Sequence, residues 1–275
     1  MSRLNDEQWY WIDGEGSSFQ VSPVGDVERV LAGAEGLGMP PVEHTTRPMP
    51  YEHGEDHLGW RIGSRTVNLR VVDHALTRTA MWQHRRRWLQ AFNPEKGEGQ
   101  LKVVLPDASE RRLNARIVGG LSLDAKDRQG PTTQVDVIQV VATAPFPYDP
   151  TQEVVIDYFA GAASVDLSCA NSGDVPTNPE IVLTGPVTSP SIEHVGSGSK
   201  LEIDYSLAAG ARMTIDCGDA TITLADDTNM MYAVSTSSDF FDLDRGANTI
   251  RISAAGGTGR CDVRYYHRYL GLYIS

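Results

Sequence analysis

Residues Thr77–Leu105 read TRTAMWQHRRRWLQAFNPEKGEGQLKVVL, and this stretch decides the fold. It holds the one strong helix signal in an otherwise strand-like chain. Met81, Trp82, Arg85, Trp88, Leu89 and Phe92 fall at helical spacing, with aromatic bulk on one side. Thr77 or Thr79 can cap the start, because a hydroxyl accepts a bond from an orphan backbone N–H. Asn93-Pro94 ends the helix, since proline disfavours helical geometry in the residue before it. Gly97-Glu98-Gly99 then turns the chain. Leu101, Val103 and Leu105 alternate with less buried neighbours, as a strand does. Val67, Leu69 and Val71 alternate in the same way before the helix. The unit is therefore strand, helix, glycine turn, strand.

Outward from this unit the signals are mostly β. Trp9–Ile12 is aromatic and strand-prone, with Phe19 and Val21 on a returning strand and Val27–Leu31 a third candidate. Residues 33–63 are rich in Gly, Pro and His and poor in periodicity, which predicts a long loop with a strand or two inside; loops of that length are often functional. After the helix, Pro106–Ser109 predicts a turn. Leu113, Ala115 and Ile117 form the second strand of that hairpin. Lys126–Pro131 is a polar turn or loop, and Gln134–Thr143 a further, more central strand.

The stretch Ala144–Pro150, APFPYDP, removes backbone donors and fixes φ, so no regular element crosses it. It is the expected boundary between residues 1–147 and residues 148–275. Beyond it helix signals vanish. Short alternating runs follow at Val154–Tyr158, Ser164–Ser168, Ile181–Thr184, Leu201–Tyr205, Arg212–Cys217, Thr221–Leu224, Thr249–Ser253 and Cys261–Tyr266. Strands at this spacing, separated by Gly, Asp, Asn and Pro, predict a β-sandwich.

The chain has 275 residues, 40% apolar and 22% charged, with a formal net charge of −12. This suits a soluble folded protein of two domains and opposes general nucleic-acid binding. Arg85-Arg86-Arg87 fan around a helix instead of making one basic face. No signal-peptide run opens the chain and no apolar stretch is long enough for a membrane span, so a cytoplasmic site of synthesis is expected. Cys169, Cys217 and Cys261 are odd in number and sit in strand-like runs, which predicts buried free thiols.

No catalytic, cofactor-binding or metal site is specified. His44, His53 and His57 lie near Glu43, Glu52, Glu55 and Asp56. The run HGEDH, however, puts Gly54 where a zinc helix needs Glu, and its surroundings are not helical. Gly196–Ser199 lacks the Lys-Ser/Thr ending of a phosphate loop. Asp226, Asp227, Asp242 and Asp244 lack the spacing of a calcium loop. No G-x-S-x-G elbow is present.

Two sets of segments resemble the distal tail proteins of long-tailed, non-contractile bacteriophages. RTVNLRVV, RRRWLQAFNP, GEGQLKVVL, ERRLNARIV and APFPYDP are similar to that family's N-terminal domain. NSGDVPTNPEIVLTGPVTSPSI, LEIDYSLAAGARMTIDC and FFDLDRGANTIRIS are similar to its C-terminal domain. The shared features are an Asn-x-Gly followed by Pro-Thr-x-Pro, an Ile-Asp pair after a turn, and Leu-x-x-Gly-x-Asn-x-Ile. Their order and spacing carry the match over about residues 60–275; the first 60 resemble it only loosely.

The resemblance implies a mainly β chain: an N-terminal β-sandwich or barrel-like domain with one α-helix, then a galectin-like β-sandwich. It implies a structural, non-enzymatic protein of the virion tail tip, assembled in the host cytoplasm. Its N-terminal domains would form a hexameric ring joining the tail tube and tape-measure protein to the tail-tip hub and host-adsorption apparatus. No cofactor, membrane or specific nucleic-acid partner is implied, although DNA would pass through the channel. The rival reading is a carbohydrate-binding β-sandwich that contacts the host surface. All five tryptophans, Trp9, Trp11, Trp60, Trp82 and Trp88, precede the linker. Trp88 is the expected core residue, and Trp9, Trp11 and Trp60 are candidates for packing on a neighbouring copy.

Overall fold

A computed structural model of the protein describes residues 7–22, 29–51, 53–121, 132–161 and 163–272. The chain divides into two compact units, Met1–Tyr148 together with Leu270–Ser275, and Asp149–Tyr269. The expected division assigned residues 148–275 to one domain; in the structure the last stretch is grouped with the first unit.

The first unit contains β1 (Gln8–Ile12), β2 (Ser18–Gln20), β3 (Arg29–Glu35), β4 (Val42–Pro48), β5 (Glu55–Ile62) and β6 (Arg65–His74). There follow α1 (Arg78–Ala91), β7 (Gly99–Val104), β8 (Glu110–Gly120) and β9 (Thr133–Ala142). Seven of these strands make one antiparallel sheet in the order β2-β1-β7-β8-β9-β6-β3. β8 turns the corner: Ala115 pairs with Gly99 on β7, whereas Arg116 pairs with Val141 on β9, with a register shift between Ile117 and Gly119. Bulged strands bend in this way and let one sheet fold over itself. Trp9, Trp11, Leu101, Val103 and Leu113 of one half therefore share a core with Val67, Leu69, Val71, Ile138 and Val140 of the other. Trp9 and Trp11 are fully buried in that core, which removes them as candidates for packing on a neighbour.

Helix α1 begins at Thr77, whose Oγ1 accepts from the Ala80 N–H at 3.1 Å. At its end Asn93 Oδ1 accepts from the Glu95 N–H at 3.1 Å and opens a 3-10 turn over Pro94–Lys96. The face against the sheet is Met81, His84 and Trp88, continued by buried Phe92. The expected apolar face is thus corrected: Trp82 and Leu89 point outward, and a polar histidine takes the inner position. His84 is tolerated there because Asp73 of β6 meets it. Nδ1 of His84 lies 3.0 Å from Asp73 Oδ1, and Trp88 Nε1 donates to Asp73 Oδ2 at 2.8 Å. Phe19 packs edge-on to the Trp88 ring, and Phe92 stacks against it.

Two further polar groups hold this unit. Asp13 closes the β1–β2 turn by accepting from Glu15 N and Ser17 N, and Lys96 Nζ reaches its Oδ2 at 2.6 Å. Burial pushes the Asp13 carboxyl up, but Lys96 and the two N–H groups outweigh it and hold it below the usual range. Buried Arg65 donates to the carbonyls of Gly36, Leu37 and Leu270, which brings the C-terminal stretch onto the first core, where Leu272 is buried. Burial lowers the Arg65 guanidinium to about 10.

The second unit has β10 (Glu153–Ala160), β11 (Val165–Asn171), β12 (Glu180–Thr184), β13 (Val187–Thr188), β14 (Ser191–His194) and β15 (Ser199–Glu202). It continues with β16 (Ser206–Leu207), β17 (Arg212–Asp216), β18 (Thr221–Leu224), β19 (Gly246–Ser253) and β20 (Gly256–Tyr265). One sheet runs β16-β13-β20-β12-β17-β18, with β10 also paired to β20; the other runs β11-β19-β14-β15. Their inner residues, Ile181, Leu183, Ile215 and Val263 from the first and Leu167, Ile192, Leu201 and Ile252 from the second, form one core. The eight expected strands all have counterparts here. β13, β14 and β16 lie outside that expectation, because strands of two to four residues are too short to show alternation.

The turn residues of the motifs have structural work. Asn171 Nδ2 donates to the carbonyls of Val175 and Leu243, and its Oδ1 accepts from Gly173 N. A Cβ on Gly173 would sit 2.3 Å from the Arg268 carbonyl oxygen, so no larger residue fits. Asn248 Nδ2 donates to the carbonyls of Asp244 and Gly246.

Trp88→Ala is expected to cost about 3–5 kcal/mol, through the cavity and the loss of one Asp73 partner. Arg86→Ala and Arg87→Ala, on the exposed face, should each change stability by less than about 0.5 kcal/mol. Urea unfolding of the three variants checks this, and equal losses at all three positions would show the helix face to be misread.

Candidate assembly surfaces

The long segment expected as a loop is mostly a β-ribbon. β4 and β5 pair only with each other, from Val42↔Ile62 to Pro48↔Glu55, with a bulge between Thr45 and Thr46 that leaves Leu58 out of the register. Its strands escape pattern recognition because nearly all their side chains are exposed. Apolar and polar residues alternate only when one face is buried.

The two faces of the ribbon differ. One carries Glu43, Arg47, Asp56 and Arg61, joined across the strands by Arg47–Asp56 at 2.9 Å and Arg61–Glu43 at 2.6 Å. The other carries His44, Thr46, His57 and Trp60, since Trp60 lies opposite His44 and His57 opposite Thr46. Trp60 is 63% exposed, and Leu58 is exposed beside it. A two-stranded ribbon is marginal in water without further strands or a covering surface. Exposed ion pairs add little to it.

Helix α1 presents a second apolar surface. Trp82, 62% exposed, and Leu89 lie seven positions apart on its outer side, and exposed Leu76 precedes the helix. Large exposed side chains grouped in this way mark contact surfaces more than single ones do.

The residues weighed as chemistry are placed as follows. His53 sits in the ribbon turn and His57 on β5, so the HGEDH pair does not converge. His57 Nε2 lies instead 3.1 Å from His44 Nδ1, a pairing that the sequence does not reveal. Two exposed imidazoles fall short of the three or four ligands that a zinc site takes. Glu52 lies outside the described residues, as do Lys126–Pro131 and the first residues of the Val27–Leu31 candidate strand. Asp226 caps a turn by accepting from Thr228 N, and Asp242 accepts from Asn178 Nδ2. Among the described residues no three His, Cys, Asp or Glu side chains gather to hold a metal. Gly196–Gly198 lies in the β14–β15 turn and Ser199 opens β15; Ser197 Oγ lies 2.8 Å from His194 Nδ1. No described helix is long and apolar enough to cross a membrane.

Residues 172–269 match the family model described as "Siphovirus-type tail component, C-terminal domain". The resemblance to phage distal tail proteins is thereby borne out. The fold agrees along nearly the whole chain with the crystal structure of the phage SPP1 Dit protein, described as a paradigm of the hub adsorption apparatus in phages infecting Gram-positive hosts. That TM-score is 0.70 at 14% identity, over 95% of this chain and 98% of that one. The activated, calcium-containing baseplate of phage P2 holds a chain that aligns with a TM-score of 0.50 at 8% identity, over 94% of this chain and 97% of that one. At such identities the likeness is one of fold. No curated protein matches in sequence. The mainly β architecture with a single described α-helix is that of the Dit fold. Asn171, Gly173 and Asn248, which carry the motifs read from the C-terminal half, hold turns in place.

The three cysteines are free and buried. Burial raises the Cys169 thiol to about 11 and the Cys217 thiol to about 12, and pushes Cys261 higher still. The nucleophilic thiolate is therefore scarce at neutral pH. In the native protein all three should resist a thiol-specific reagent at pH 8 and react rapidly once denaturant is added. Fast labelling of any of them without denaturant would show that the second core opens readily.

Proposed function

We propose that this chain is a distal tail protein. Its first unit closes a six-membered ring between the tail tube with its tape-measure protein and the tail-tip hub, and its second unit projects outward. The observation that carries the reading is the end-to-end agreement of both units with a phage hub protein. The two apolar surfaces of the first unit support ring closure. A ring needs heterologous contacts, in which each copy offers two different patches to its neighbours. The Leu58–Trp60 side of the ribbon and the Trp82–Leu89 side of α1 are two such patches on one unit. Covering the ribbon would also remove its marginal stability. Trp is enriched among the residues that dominate interface energy.

On this reading the protein is structural, acts at the virion tail tip and is assembled in the bacterial cytoplasm. It needs no cofactor and reads no nucleic-acid sequence. Six copies of a chain with net charge −12 give a strongly acidic assembly, and acids facing the channel would repel passing DNA.

Light scattering and negative-stain microscopy of the full chain test the reading: a ring of six copies is expected. Trp60→Ala should weaken association by at least about tenfold, the scale of an interface anchor, while leaving thermal unfolding of the protomer unchanged. Residues 149–269 alone should stay monomeric. A full-length protein that remains monomeric at all concentrations would falsify ring formation.

A further inference from the structure

The second unit carries an open groove of about 860 Å³. Its floor is the segment Glu202–Tyr205. On one side Ile203 N donates to the Pro190 carbonyl and Ser189 N to that of Tyr205. On the other side Asp204 N donates to the Ala233 carbonyl and Ser235 N to that of Glu202. This backbone order brings three stretches from distant parts of the chain side by side. Alternation along the floor sends buried Ile203 into the core and Glu202 and Asp204 to the opposite, groove side. Ser189, Ser191, Ser235 and Thr236 line the walls.

Tyr232 stands at the edge of the groove on the 3-10 turn Met231–Ala233 and is 78% exposed. It provides an exposed aromatic platform in a half of the chain that has no Trp. The charges are nearly balanced. Lys200 Nζ lies 2.5 Å from Glu202 Oε1, which leaves Asp204 as the carboxylate with no ion pair among the described residues.

We propose that this groove binds a neutral saccharide. Sugar hydroxyls donate to carboxylates in charge-assisted bonds, and serine and threonine hydroxyls can both donate and accept. The C–H face of a pyranose ring is apolar and weakly positive and packs on the negative face of a tyrosine ring. A concave, hydroxyl-lined site with one aromatic and a few convergent polar groups combines these requirements. The unpaired Asp204 carboxylate disfavours sugars bearing phosphate or carboxylate groups, and with Glu202 already neutralised the floor is too weakly charged to select a basic peptide.

The test uses the full-length protein and a panel of methyl glycosides and short oligosaccharides of glucose, galactose, rhamnose and N-acetylglucosamine, read by saturation-transfer NMR and calorimetry. At least one neutral saccharide should bind in the millimolar range or tighter. Tyr232→Ala should weaken it by about tenfold, the scale of a lost stacking contact, and Asp204→Asn should weaken it severalfold. Tyr158→Ala, which removes an exposed tyrosine of β10 outside the groove, should leave it unchanged. Unaltered melting of each variant shows that folding is intact, and unaltered ring formation separates this result from the assembly reading. The proposal fails if nothing in the panel binds, if binding survives both Tyr232→Ala and Asp204→Asn, or if an oligolysine peptide occupies the groove in preference to every sugar.

Discussion

The first unit depends on one buried carboxylate. Asp73 is almost wholly removed from water, and a lone charge there would be costly enough to refuse folding. Both of its oxygens are taken by α1: His84 on one, Trp88 on the other. The two donors sit four residues apart, one helical turn, so only a helix in this register and rotation satisfies the acid. That sets which side of α1 faces the sheet. Trp88 then meets Phe19 and Phe92, and Trp11 stacks on Phe92, so the helix, the β1–β2 hairpin and the sheet share one aromatic contact. Placing His84 inward also turns Trp82 and Leu89 outward, so an exposed apolar surface follows from the arrangement of the core.

Other features of the molecule arise from turns and bulges more than from apolar patterning. The bulge in the β4–β5 ribbon puts His57 on the same side as Trp60 and His44. The shift in β8 folds one sheet over one core. In the second unit the Asn171 and Asn248 side chains bind backbone groups that strands cannot reach, and the groove beside Tyr232 exists because three non-adjacent stretches are tied by main-chain bonds. Such polar devices cost little when every partner is present and are sharply unfavourable when one is lost. This accounts for why the motif residues recognised in the C-terminal half sit at turns, with their side chains bonded to backbone groups.

The sequence alone determined what depends on neighbours along the chain. The hydroxyl cap, the Asn93-Pro94 stop, the alternation of β6, β7 and β9 and the proline-dense break before Asp149 are local, and each follows from backbone sterics or from one buried face. The two-part β architecture and the tail-protein resemblance were legible for the same reason. Only the tertiary structure decided what depends on partners distant in sequence. Trp9 and Trp11 became core because two sheet halves close over them. His84 became an inner residue because Asp73 lies on an adjacent strand, and Leu272 returned to the first unit because Arg65 binds the Leu270 carbonyl. The ribbon was unreadable because neither of its faces is buried within the chain, so no apolar period marks it. The groove was unreadable because its tyrosine and carboxylates carry no shared spacing; hydrogen bonds between distant backbone segments, and not sequence order, bring them together.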